Sequence, residues 1–426
     1  MATSTSDNRP SVAVVGAGVS GLTAAYLLSK KYAVTLYEAD HRLGGHAHTH
    51  DLTDPAGTAL AIDTGFIVHN DRTYPQLRRL FAELGVSTRP TEMSMSIHDE
   101  ASGLEFAGGR GLRGVFAQPR RMVDRRFLSV LTQVKRFQIR AGALLRSTDD
   151  FDQTTYGEFL RAGGFSDSFV QLYAVPLVAC VWSMGTGAVL EYPARYLFRF
   201  LAHHGMLTIG GSPTWYTVVG GSRTYVDAIA ARLSHVRTGQ AVSTVLRENG
   251  RIFVRDSSGA SASYDRIVIA THADQALNVL ADATREEKEV LGAFRYSRSE
   301  TVLHTDVSLL PVARHARSSW NYLTPAGGGD GAPVVTYWMN RLQGLDTDQQ
   351  YLVTLNARDR IEPSAVIAVM NYEHPIYDLP TIAAQKRLAA LSTSVTAFAG
   401  AHHGWGFHED GCRSGVDAAR ILGVSW

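Results

Sequence analysis

Cysteine and lysine are the scarce residues of this 426-residue chain, at 2 and 5. Cys180 and Cys412 form no CxxC pair and no Cys/His zinc spacing, which excludes a disulfide framework and a structural zinc. Five lysines leave 36 of the 41 basic residues as arginine, a bias that reads as the mark of a GC-rich bacterial genome rather than of a binding function. The net charge of +1 argues against nucleic acid as a partner for the molecule as a whole. No apolar run approaches the ~20 residues of a membrane span. The start, MATSTSDNRP, lacks the basic and apolar regions of a secretory signal, so a disordered N-terminus over residues 1–10 and a cytoplasmic location are expected. There is no internal repeat, and PAGGGDG at 325–331 reads as one surface loop.

What is present is concentrated in SVAVVGAGVSGLTAAYLLSKKYAVTLYEADHRLGGHAHT. A β-branched run over Ser11–Val15 leads into Gly16, Gly18 and Gly21, a G-x-G-x-x-G opening a helix to about Lys30. Gly16 permits the tight turn, Gly18 lets backbone amides approach a pyrophosphate, and Gly21 allows close helix-on-strand packing. The helix start, with Ser20, faces the phosphates with its unpaired N–H groups. A second strand, Ala33–Tyr37, ends in Glu38, whose carboxylate accepts hydrogen bonds from ribose hydroxyls and repels a 2′-phosphate. Arg42, Gly44 and Gly45 then reach the same pyrophosphate from another side, a continuation that points to FAD rather than to a nicotinamide cofactor.

With 45% hydrophobic residues the chain can bury two interleaved domains. Residues 11–86, 216–291 and 394–426 have the strand-and-helix texture of a nucleotide-binding domain. Between them lie a helix-rich block, 89–210, and a strand-rich block, 296–392, expected to form a substrate-binding domain. Helices are expected over Pro119–Arg146, Asp167–Val181 and Pro193–His203, and strands over Thr301–His304, Val334–Trp338, Tyr351–Leu355 and Val366–Met370. The fold class is α/β: a discontinuous Rossmann-like FAD-binding domain with an interleaved α+β substrate domain, and the reacting ring between the two.

The glycine turn with Glu38 and Arg42-x-Gly44-Gly45, the central GGSRTYVDAIAARL and IVIATHADQALNVL, and the terminal FAGAHHGWGFHEDGCRSGVDAARIL together resemble the flavin amine oxidase and phytoene desaturase superfamily over nearly the whole chain. Within it, DTGFIVHNDRTYP, TEMSMSIHD, NYEHP and GFHEDG are similar to a bacterial branch of FAD-binding oxidoreductases associated with fatty-acid modification. The resemblance implies that Ser243 and Val245 flank the adenine. It also implies that Gly400 and the helix near Gly411 carry the ribityl chain and a flavin carbonyl, where helix N–H groups meet an oxygen that becomes anionic on reduction. Two departures stand out. The acid that usually follows Ala-Gly in the last strand is replaced here by Ala401-His402, with Glu409 or Asp410 as substitutes. The lysine that amine oxidases place near flavin N5 has no counterpart in SETVLHTD, which disfavours amine oxidation.

His46, His48 and His50 alternate on one face of an extended chain, a geometry open to a metal, but they follow the flavin motif directly and read as flavin-adjacent or solvent-facing, so no metal is expected. His402, His408 and Glu409 in HHGWGFHED, and His304 in the substrate-domain strand, are the candidate proton acceptors. From Arg110 to Arg146, ten Lys or Arg against the single acid Asp124 interleave with apolar residues, a pattern that suits either a packed helix or contact with an anionic membrane at the inner face. The expected activity is FAD-dependent dehydrogenation or desaturation of an apolar substrate, a modified fatty-acyl lipid. The alternatives are an amine oxidase, a flavin-dependent lipid isomerase or reductase, and a non-catalytic flavoprotein partner.

Overall fold

The computed structural model describes residues 9–147, 153–182, 186–207, 212–327 and 333–426. Residues 1–8 of the expected disordered terminus, and 328–331 of the expected loop, lie outside the described residues.

A five-stranded parallel sheet runs in the order 235–237, 33–37, 11–15, 266–269, 396–398, so its strands come from three distant stretches of the chain. The central strand Ser11–Val15 is hydrogen-bonded on both sides and all but its first residue are buried, which is why it reads as an unbroken Val/Ala run. Helix Val19–Leu28 has all ten residues buried. It lies against the C-terminal helix His408–Ile421, where a Cβ on Gly415 would stand 2.4 Å from the Ser20 carbonyl oxygen. A three-stranded antiparallel sheet, 242–248, 251–256 and 261–264, is inserted before strand Arg266–Ile269.

The second layer is a seven-stranded mixed sheet in the order 366–376, 295–304, 352–355, 334–338, 320–324, 95–99, 104–108. Strands Met95–Asp99 and Leu104–Gly108 come from the stretch whose sequence reads as helical, so that stretch contributes both a sheet edge and the helices covering one face. The expected helix over 119–146 is split at Asp124, which caps helix Arg125–Arg146 by accepting from the amides of Arg126 and Phe127. Phe137 of that helix is fully buried and meets Phe159, Phe165, Phe169 and Phe198 at centroid distances of 5.5–6.0 Å. The helix is therefore a packed element on its inner face. Among the described residues no helix is long and apolar enough to cross a membrane.

Candidate functional site

Each parallel strand delivers a different segment at its carboxyl end, the edge where open α/β sheets bind ligands. Ser11–Val15 leads to Gly16–Gly18, Ala33–Tyr37 to Glu38, Arg266–Ile269 to His272, and Thr396–Phe398 to Gly400–His403. Gly16 has φ +95°, and a Cβ there would stand 2.8 Å from the Ala270 carbonyl oxygen. A Cβ on Gly21 would lie 1.8 Å from the Gly16 carbonyl oxygen. Gly18, at φ −69°, faces open space. The Gly44 amide donates to the Ala17 carbonyl at 2.8 Å, and a Cβ on Gly45 would be 3.2 Å from the Gly18 Cα, so both glycines lie against the turn.

Glu38 accepts from the amides of Ala17 at 2.7 Å and Asp40 at 2.9 Å, which orients its carboxylate while leaving further lone pairs for a ribose. The chain beside it is Arg237–Gln240: Glu38 N–H donates to the Arg237 carbonyl at 2.8 Å, and Gln240 N–H to the Glu38 carbonyl at 2.9 Å. Ser243 and Val245 are one strand further on. The Ser243 hydroxyl is bonded to the Arg255 carbonyl at 3.1 Å, and Val245 is a core residue whose carbonyl accepts from Ala281 at 2.9 Å. The segment in direct contact with Glu38 is thus Arg237–Gln240, and a β-bulge between Val242 and Thr244 separates it from the strand that carries Val245.

At the C-terminal end the expected acids have other work. The helix begins at His408, and the Gly411 amide is already bonded to the Phe407 carbonyl at 3.0 Å, while a Cβ on Gly411 would strike Val19 at 2.6 Å. Gly411 serves close helix packing, and the free N–H groups belong to the residues before it. Asp410 accepts from the amides of Trp405 at 3.0 Å and Phe407 at 3.1 Å and from Arg413 at 3.1 Å, holding the loop 404–407. The Gly400 amide donates to Ser414 Oγ at 2.9 Å, and a Cβ on Gly400 would meet the His402 ring.

Glu409 caps helix Pro75–Leu84, accepting from Gln76 N–H and Leu77 N–H at 3.0 Å each. Burial and the neighbouring Asp410 push its carboxyl up to about 7, and each oxygen accepts one of those amides, so its evident task is to position that helix. Glu409→Ala should lower stability by about 1–2 kcal/mol in urea unfolding, with the flavin spectrum unchanged. A bleached or shifted flavin at parental stability would return it to the reaction.

His304 is likewise structural. It is fully buried, with Nε2 2.7 Å from Thr354 Oγ1 and Nδ1 accepting from the Asp306 amide at 3.2 Å. Strand alternation puts it on the face of Val302, whereas Ser297, Ser299 and Thr301 share the opposite face. Across from Ser299 is Tyr372, and across from Ser297 is His374. Tyr372 OH bonds His48 Nδ1 at 2.9 Å and Thr64 Oγ1 at 2.7 Å, while His374 packs on His46 at 5.2 Å. The face bordering the segment after Gly44-Gly45 therefore presents hydroxyls and imidazoles, with no lysine.

Sequence reasoning missed His272 and His374. His272 stacks on Tyr296 at 4.1 Å, and its position just past the end of a parallel strand was a usable signal; His374 has none, because its meeting with His46 is tertiary. His48 and His50 do share a face, with rings 4.2 Å apart, and no group of three side chains suited to a metal occurs among the described residues. His408 stacks on Phe66 at 3.8 Å.

Burial pushes His374 and His403 down to about 4 and His408 to about 3; it also carries His46 and His402 well below their ordinary value. All are neutral at pH 7, and burial opposes their protonation. For such groups the unfolded state binds protons first, so the stability they contribute is present above pH 6.5 and is lost as pH falls towards 4. Each histidine should add about 1.4 kcal/mol per pH unit to that slope. Urea midpoints between pH 7 and 4 test this, and His408→Asn should remove about one proton from the slope.

Residues 19–304 match the family described as flavin containing amine oxidoreductase. The chain belongs to that family. An 86-residue stretch is 41% identical to a carotenoid phi-ring synthase from Streptomyces griseus, covering 19% of this chain and 16% of that protein. Solved structures with a similar fold include a redesigned putrescine oxidase, at 17% identity and TM-score 0.68 over 97% of this chain and 98% of the other. Another is a CLA-producing fatty acid isomerase from P. acnes, at 15% identity and TM-score 0.64 over 97% and 99%.

As a flavin amine oxidoreductase family member, the protein is an FAD-dependent oxidoreductase. The residues fit FAD. Gly18 offers a cradle that any Cβ would fill, and Arg42 Nη1 is buried without a partner. His46 Nε2, His374 Nδ1, His403 Nε2 and His408 Nε2 are buried and unpartnered too. So many orphaned nitrogens at one edge need polar partners, which a flavin and its phosphates supply.

Proposed function

We propose that this flavoenzyme dehydrogenates an apolar substrate, a fatty-acyl lipid. The observation that carries the reading is the wall between the helices and the C-terminal loop. Trp182 lies 4.5 Å from Phe200, Phe200 4.8 Å from Phe407, and Tyr196 5.4 Å from Tyr377 and 6.1 Å from Trp405. A cleft of about 370 Å³ opens beside it, where Tyr74, Tyr196, His204, Trp405 and Phe407 form an aromatic side and Arg72, Glu409, Asp410 and Arg413 a charged one. The carboxylates that line this cleft, Glu409 and Asp410, are each bonded to two backbone amides, and Asp410 also to Arg413, so both already serve as partners within the protein.

Bound FAD supplies a hydride acceptor. The protein's part is to hold a C–H bond against the ring, exclude water with the aromatic wall, and take up the second proton. His46 Nε2 and His374 Nδ1, buried without a partner beside the segment after Gly44-Gly45, are the nitrogens placed to take it. Tyr372, hydrogen-bonded to His48, orients that segment and offers a route for the proton outward.

A second reading, double-bond isomerisation, is favoured by the same neutral histidines, which can return a proton as well as accept one, and by the fold shared with a fatty acid isomerase. Mass spectrometry of acyl lipids incubated with the holoenzyme separates the two. A product two mass units lighter supports dehydrogenation, an isobaric product supports isomerisation, and unchanged lipid with turnover of an amine overturns both.

A further inference from the structure

We propose that the corner formed by residues 110–126 and 311–317 docks on an anionic lipid bilayer. The three most exposed large apolar side chains among the described residues are Val123, Val312 and Leu112, at 83, 80 and 76%. Although nearly two hundred residues separate Val123 from Val312, both segments are tied to one residue. Glu105 accepts from the amides of Val312 at 2.8 Å and Ala313 at 2.6 Å, while its own amide donates to Gln118 at 3.3 Å. Arg110 closes the corner by bonding the Arg317 carbonyl.

The apolar tips stand among exposed Arg113, Arg120, Arg125 and Arg314. The carboxylates nearby are already committed. Asp124 is bonded to Arg121 at 2.7 Å and caps its helix, Glu105 is buried, and Glu92 is bonded to Arg341 at 2.8 Å. The surface thus offers unneutralised positive charge around apolar points that water solvates poorly. The tips sit on a turn and on short helices rather than along a groove. A fluid bilayer with acidic headgroups accepts that shape and charge, whereas a folded protein partner would have to match it rigidly. The buried face of helix Arg125–Arg146 stays in the protein core, so docking needs no unfolding. The proposal is independent of which substrate is oxidised.

The test is co-sedimentation of the full-length holoprotein with vesicles of phosphatidylcholine alone or with about a third phosphatidylglycerol. Partition should be at least about tenfold stronger onto the anionic vesicles and should weaken steadily with added salt. Removing one of the four arginines should cost roughly fivefold. A Leu112→Asp, Val123→Asp, Val312→Asp triple variant should lose about tenfold or more while keeping the parental flavin spectrum and melting temperature. Phe253→Asp, an exposed site on the three-stranded sheet, should bind as the parent does. Equal partition onto neutral vesicles, no partition at all, or a triple variant that binds like the parent would overturn the proposal. So would retention on soluble heparin at the affinity seen for vesicles, which would make the surface a general polyanion site.

Discussion

Gly18→Val is expected to fold like the parent and to purify without flavin, while Gly21→Ala, the smaller change, is expected not to fold stably. The contrast follows from where a Cβ would go. At position 18 the backbone has an ordinary φ of −69° and open space ahead, so the protein itself tolerates a side chain. That space is where a pyrophosphate must come within hydrogen-bonding reach of the turn, and filling it should weaken FAD binding by roughly a hundredfold or more. At position 21 the Cβ would be 1.8 Å from the Gly16 carbonyl oxygen and 3.3 Å from the Ala270 side chain. Relief requires moving the turn off the central strand, at a cost above about 3 kcal/mol. Flavin absorbance after gel filtration and the melting curve of the apoprotein report the two effects separately. A yellow Gly18→Val protein would show that the turn does not hold the cofactor.

The second large effect is expected at Asp63, whose fully buried carboxylate is a junction between the two layers. It accepts from Thr49 Oγ1 at 2.6 Å, Ser222 Oγ at 2.7 Å, Ser222 N–H at 2.9 Å and Gln343 Nε2 at 3.1 Å. Thr49 opens the strand after Gly44-Gly45, Ser222 precedes helix Arg223–Ala230, and Gln343 ends the short helix Met339–Leu342 that follows strand Val334–Trp338 of the seven-stranded sheet. Asp63→Ala leaves four donors unpaired in a dry site, so a loss of about 3–5 kcal/mol is expected, read as a lower urea midpoint. Asp63→Asn keeps the shape but turns two donors towards existing donors, and should fall between the two. A near-parental midpoint for the alanine variant would mean that the junction is not holding the layers together.

The parts of this protein that were legible in its sequence are the local ones. Gly16, Gly18, Gly21 and Glu38 announce themselves because a strand, a turn and a helix start must follow one another within a few residues, and the physics that demands glycine there is contained in the motif. The α/β class followed from the same alternation. What was not legible depends on partners far away in the chain. Glu409 reads only as a base until it is seen to cap a helix through Gln76 and Leu77, more than three hundred residues earlier. His304 looks like a site residue until Thr354 is found beside it. Strands Met95–Asp99 and Leu104–Gly108 were hidden in a block read as helical, since only pairing with Trp320–Thr324 brings them into the seven-stranded sheet. His374 could not have been chosen over the chain's other histidines, because its contact with His46 exists only once the two layers meet.

The central claim is that this chain holds FAD beside an aromatic wall so that a C–H bond of an acyl chain becomes the hydride donor. The anaerobic visible spectrum of the holoprotein tests it most directly, with acyl lipids, simple amines and NADPH added in separate cuvettes. Bleaching of oxidised flavin by the lipid, with the amine and NADPH leaving the spectrum unchanged, is the expected result. Bleaching by an amine or NADPH while the lipid leaves the flavin oxidised would contradict the claim, and would make the protein an amine oxidase or a pyridine-nucleotide-fed reductase.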